Sequence, residues 1–114
     1  MNAVASASAV VGDLSLCHDA CTLVSRHGEV VLGAMLYRLA ERLMRQPGAI
    51  VGASALISAM YPDPDREPER ADLMLRKQVQ LLRGVILVLT RERVQVRTER
   101  DVGYSVGYAM EVRR

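Results

Sequence analysis

The sequence contains no tryptophan and no phenylalanine, and only four tyrosines and two cysteines among its 114 residues. Without large rings, a core has to be filled by Leu, Val, Ile, Met and Ala, packed to the density of an organic crystal. Met35, Met44, Met60 and Met74 suit that need, because an unbranched thioether adapts to irregular gaps. Tyr37 and Tyr61 are expected at the core or its edge. Two cysteines exclude a disulfide scaffold. Cys17 and Cys21, with His18 between them and His27 beyond, make one Cys-x3-Cys with no second half at zinc-site spacing, so free thiols and no metal are expected.

Long apolar runs are missing as well. Crossing a bilayer takes about 18 or more apolar residues, and GVILVL at 84–89 falls far short. The opening MNAVASASAV has neither the basic n-region nor the apolar stretch of about 7 to 15 residues that marks a secretory signal. No membrane partner and a cytoplasmic location are therefore the expectation. No P-loop, nucleophile elbow, dinucleotide fingerprint or metalloprotease motif occurs, and two histidines near cysteines make no triad, so neither an enzyme nor a cofactor is expected.

What is present suits a folded chain: 50% hydrophobic and 25% charged residues are ordinary globular usage. The length fits a flexible arm over 1–9 and one domain over 10–114. A formal net charge of +2 identifies no polyanion partner, but clustering matters more than the sum. Between positions 76 and 100 stand Arg76, Lys77, Arg83, Arg91, Arg93, Arg97 and Arg100, opposed only by Glu92 and Glu99. The acidic residues gather instead in 63–72, mixed with Arg66 and Arg70.

Periodicity orders the elements. Val10–Leu16, Cys21–Ser25 and Glu29–Leu32 are β-branched and apolar, separated by turn residues, and read as a small antiparallel meander. Leu36, Leu39, Ala40, Leu43 and Met44 recur at helical spacing, with Arg38, Glu41, Arg42 and Arg45 on the other face. Pro47 stops that helix. A second helix over Ala53–Met60 turns Leu56, Ile57 and Met60 inward and ends before Pro62 and Pro64. A third begins near Pro68 or Glu69, favoured by proline and acid in a first turn. It places Leu75, Val79, Leu82 and Ile86 in the core and leaves Arg76, Lys77, Gln80 and Arg83 outside. Val94 and Val96 then alternate in RVQVRT, and YSVGYAMEV alternates after the turn RDVG, forming a closing hairpin.

Sheet, three helices and hairpin together give an α+β winged helix-turn-helix, with an N-terminal antiparallel β-sheet and a C-terminal β-hairpin wing. A helix fits the DNA major groove and reads base edges there through long side chains. The candidate DNA-binding residues are therefore Arg70, Arg76, Lys77, Gln80 and Arg83 in and before the third helix, with Arg97 and Arg100 on the wing reaching phosphates or a minor groove. Gly103 is expected to permit a tight bend, and Tyr104 to return the strand to the core. A plain alternative for Arg97 and Arg100 is pairing with Glu99 or Asp101 across the turn.

Over roughly Val10–Val106 the sequence resembles the effector domain of the OmpR/PhoB family of bacterial response regulators. The matching stretches are GDLSL and GEVVL, LYRLAERLMRQPGAIV, LISAMY, RKQVQLL and, most specifically, TERDVGYSV. In the last, Thr98, Arg100, Gly103 and Tyr104 stand where the family carries Thr-x-Arg-Gly-x-Gly-Tyr. The resemblance implies a transcriptional regulator that binds double-stranded DNA through the third helix, with the wing on the backbone and with tandem or homodimeric binding. It also implies that the 61–68 loop, YPDPDREP, can touch RNA polymerase. Gly33 and Gly52–Ser54 depart from the family's helix caps and its Ser-Arg-Glu run, and Asp101 replaces the wing glycine. A diverged member without a receiver domain is the expectation. The alternative is a winged helix that docks on RNA polymerase or another regulator without reading DNA, since fold does not settle function.

Overall fold

The structure, a computed structural model, describes residues 7–108. It opens with four antiparallel strands, β1 (Ala7–Val11), β2 (Leu14–Cys17), β3 (Thr22–Ser25) and β4 (Gly28–Val31), joined in sequence order. The stretch expected as one strand over Val10–Leu16 is two. Gly12 takes a left-handed φ of 62° and folds the chain back, so that Val10 faces Ser15 and Val11 faces Leu14. Pairing continues to Ala7 opposite Cys17, so β1 begins inside the segment expected as an arm; positions 1–6 of that arm lie outside the described residues. Cys17 is buried and Cys21 half-buried, and the two are not joined by a disulfide.

Helix α1 (Ala34–Met44) buries Tyr37, Leu39, Ala40, Leu43 and Met44 on one face, while Leu36 is only half-buried. On the opposite face Arg45 pairs with Glu41 at 2.6 Å, one turn apart. Tyr37 adds a tie across the fold, its hydroxyl 2.7 Å from His18 Nδ1. After the break at Pro47, the N–H of Gly48 donates to the Val106 carbonyl at 2.7 Å. A two-residue strand unforeseen from the sequence, β5 (Val51–Gly52), then leads directly into α2 (Ala53–Met60). Leu56 and Met60 are buried and Ile57 is half-buried.

Beyond α2, Pro62 and Pro64 bar a further helical turn, and the loop tightens into a single 3-10 turn over Pro64–Arg66. The Asp63 carboxylate caps it, accepting from the Asp65 N–H at 3.0 Å. Helix α3 runs Ala71–Thr90, 20 residues, starting slightly later than Pro68 or Glu69 would suggest. Leu75, Val79, Leu82 and Ile86 are buried as expected.

Two consecutive residues in left-handed conformation, Arg91 (φ 50°) and Glu92 (φ 68°), end α3. Thr90 locks the reversal. Its hydroxyl lies 2.8 Å from the Ile86 carbonyl and 3.1 Å from the Val94 N–H that it accepts. The chain returns as β6 (Val94–Glu99) and β7 (Gly103–Tyr108), paired from Val94–Tyr108 to Glu99–Gly103. With β5 they form a second sheet in the order β5-β7-β6.

The helices sit between the two sheets' contributions to one core, in which Leu14, Leu16, Leu23, Leu39, Leu43, Leu56, Leu82 and Ile86 are fully buried. Tyr37 is the only aromatic residue buried in it among the described residues, and Tyr61 and Tyr104 pack at its edge. The architecture is a winged helix-turn-helix preceded by a four-stranded sheet. Among the described residues, no helix is long and apolar enough to cross a membrane.

Candidate nucleic-acid interface

Burial of the Leu75–Val79–Leu82–Ile86 stripe turns the opposite face of α3 outward. Arg76, Lys77 and Gln80 are all exposed on it. Arg76 also lines a groove between α3 and the wing turn, together with Thr98, Arg100, Asp101 and Tyr104. Two of the expected residues from distant parts of the chain, Arg76 and Arg100, thus share one concavity. Neither they nor Lys77 makes an ion pair among the described residues.

The wing turn holds Arg100 outward by backbone geometry. Val102 N–H donates to the Glu99 carbonyl at 2.9 Å, and Asp101 adopts the left-handed region at φ 62°. Asp is among the few side chains that enter this region readily, which explains how it stands in place of a wing glycine. Gly103 serves a different purpose from the one its position suggests. It has no left-handed φ; a Cβ there would overlap the Val51 carbonyl. The glycine lets β5 lie against β7, and the bend falls to Asp101.

The remaining expected residues are engaged. Arg83 is half-buried and makes three contacts: Nε donates to the Val96 carbonyl at 3.1 Å, Nη2 to Thr98 Oγ1 at 2.7 Å, and Nη1 to Gln80 Oε1 at 3.2 Å. It braces the wing against α3. Arg97 points along β6 away from the turn and donates to the Tyr108 carbonyl at the far end of the hairpin. Pairing of Arg97 or Arg100 with Glu99 or Asp101 does not occur among the described residues. Arg70 occupies the N-cap position of α3 without a side-chain capping bond, and its Nε lies 3.4 Å from Asp72 Oδ1. The Arg70 hydrogen bond holds the Asp72 carboxyl below its ordinary range, outweighing slight desolvation.

Two features lay outside the sequence-based expectation. Acidic Asp72, Glu99 and Asp101 also line the groove, against the positive charges of Arg76 and Arg100. Leu73, Leu81 and Val88 share the exposed side of α3 with Arg76, Lys77 and Gln80 and are 46%, 50% and 76% exposed. The spacing of Leu73 and Leu81 off the buried stripe already carried that signal. Nothing local to Arg83 or Arg97 marked their partners.

No protein-family profile and no curated protein matches the sequence. Among solved structures, the chain is similar to the C-terminal domain of NsrR, the nisin resistance regulator, described as a lantibiotic response regulator. The TM-score is 0.70 at 21% identity, over 89% of this chain and 98% of that one. The likeness agrees with the winged helix-turn-helix described above.

Proposed function

We propose that the protein is a sequence-specific, DNA-binding transcriptional regulator and not an enzyme. In this reading α3 enters the major groove and the wing turn rests on the neighbouring backbone or minor groove. The observation that carries the reading is the meeting of exposed Arg76 on α3 and exposed Arg100 on the wing across one groove, with Lys77 and Gln80 beside them. Long basic and amide side chains on an exposed helix face suit base edges, and a basic turn beside that helix suits phosphate. The fold it shares with a response-regulator domain supports the same reading. The contact set proposed is Arg76, Lys77, Gln80 and Arg100, with Arg70 at the phosphate edge. Arg83 and Arg97, given their partners, act through the framework.

Such a regulator works in the cytoplasm and binds operators in tandem or as a homodimer. Its 61–68 loop, exposed from position 62 onward, would then be the surface offered to RNA polymerase. Binding of fluorescent genomic fragments at two salt concentrations tests the reading. Specific fragments should survive competition by bulk DNA, and log affinity should fall steeply with log salt.

A second reading, a winged helix that docks on another protein, draws on the exposed Leu73, Leu81 and Val88 and on the acidic residues that line the groove. It predicts weak, salt-labile and sequence-blind DNA binding in the same assay.

A further inference from the structure

We propose that Arg83 sets the hydrogen-bonding polarity of Gln80, making it a reader of acceptor-rich base edges, guanine above all, rather than of adenine. The inference rests on the reading that α3 lies in the major groove. Gln80 is exposed on that helix, and Arg83, three residues on, donates Nη1–H to its side-chain oxygen at 3.2 Å.

Chemistry fixes which amide atom faces the guanidinium. Arginine carries five N–H donors and no acceptor, so only Oε1 can meet it. Nor is Arg83 free to swing away. Its Nε and Nη2 are held by the Val96 carbonyl at 3.1 Å and Thr98 Oγ1 at 2.7 Å, both on the wing strand β6.

An unconstrained glutamine reads adenine with both ends, accepting from N6–H and donating to N7. Here one of the two lone pairs of the accepting end is taken by a cation, and the positive charge beside it disfavours a second N–H donor there. The Nε2 amino group, a donor, is left as the favoured reading end. In the major groove the matching edge is guanine, whose N7 and O6 both accept, with thymine O4 a lesser match. Adenine would bring its amino group towards an oxygen already bonded to a cation. The same three contacts tie the reading residue to the wing, so specificity at this base depends on a residue that need not touch DNA.

The test is operator selection from a randomised pool, using the full chain and four variants. Gln80→Ala identifies the position Gln80 reads, as the one that relaxes. Wild type should prefer guanine there by roughly tenfold over adenine, and 7-deazaguanine at that position should remove most of the preference. Arg83→Met keeps the aliphatic stem but frees Oε1, so its preference should move towards adenine. Arg83→Lys, which retains a donor, should keep guanine. Gln80→Glu leaves the wing contacts of Arg83 intact and supplies the outcome if the Arg83 variants fail to fold; it should abolish the guanine preference in favour of cytosine.

A purely structural Arg83 would weaken all sequences alike in Arg83→Met and leave the base preference where it was, and that result overturns the proposal. So does a wild-type preference for adenine, or a Gln80→Ala variant that relaxes no position, in a protein that otherwise selects a defined operator. Failure of wild type to select any operator overturns the DNA-reading function itself and this inference with it.

Discussion

Gly103 on β7 lies against Val51 on β5 so closely that a methyl group at Gly103 would overlap the Val51 carbonyl. The β5–β7 pairing, Val51 to Tyr104 and Gly52 to Gly103, therefore depends on a missing side chain. Because β5 leads straight into α2 and β7 leaves the wing turn, this contact sets the distance between the helix-turn-helix and the wing.

Gly103→Ala should destabilise the protein by about 1–3 kcal/mol, the usual cost of overpacking, since the obstacle is backbone. Gly52→Ala is the control. Its new methyl would approach the Val102 carbonyl no closer than 3.7 Å, an ordinary contact. Urea midpoints of the two variants check the contrast, and equal values would show that β5 and β7 can separate freely.

Arg76→Ala with Lys77→Ala should leave the fold intact, both residues being exposed, and weaken operator binding by roughly tenfold or more. Circular dichroism and fluorescence anisotropy on the same preparation decide it. A folded double variant with wild-type affinity would remove α3 from the reading role.

Arg100→Ala and Arg97→Ala should differ, because Arg100 is exposed at the turn whereas Arg97 is tied to the Tyr108 carbonyl. Losing Arg100 should weaken all sequences about equally and reduce the slope of log affinity against log salt by about 0.9. Arg97→Ala should leave that slope unchanged. Titrations over a salt series measure both, and the opposite ranking would place Arg97 on the DNA.

Acid should act partly through Asp13. Burial pushes its carboxyl up, but hydrogen bonds from the Arg26 backbone and side chain, with the Arg26 charge, outweigh that and leave it below the ordinary carboxylate value. A carboxyl with a lowered folded value stabilises the fold above its ordinary titration range and loses the contribution as pH falls through the lower folded value. Wild type should therefore be more stable than Asp13→Asn at neutral pH, and the difference should shrink below about pH 4. Denaturant midpoints over pH 2–7 follow it, and a gap that persists at the lowest pH would mean that the Asp13–Arg26 pair is not its source. The gap should be small, since the Arg26 side chain is 62% exposed.

What could be read in the sequence was what neighbouring residues decide. Helix α2 runs Ala53–Met60 as expected because Pro62 and Pro64 bar its extension. The buried stripe of α3 follows its period, and Val94 and Val96 alternate into the core. Hidden features depend on pairing across the chain. The β5–β7 contact joins positions some fifty residues apart, and one valine and one glycine announce no strand. Val10–Leu16 reads as one strand because its apolar residues continue across Gly12, where one left-handed residue suffices to fold it in two. The site was legible as a basic face but not as a set of roles. Arginines at 83, 97 and 100 look alike in one dimension, and only the positions of the Val96, Thr98 and Tyr108 oxygens separate a brace from a free hand.

The left-handed pair Arg91–Glu92 and the Thr90 lock make the passage from α3 to the wing a short, fully bonded corner. A corner of that kind works as a carpenter's square. With Arg83 as its cross-strut, the two arms cannot be adjusted separately to an ill-spaced target. One base pair inserted between the site of α3 and that of the wing should then cost both contacts together, so operator spacing is policed as strictly as operator sequence.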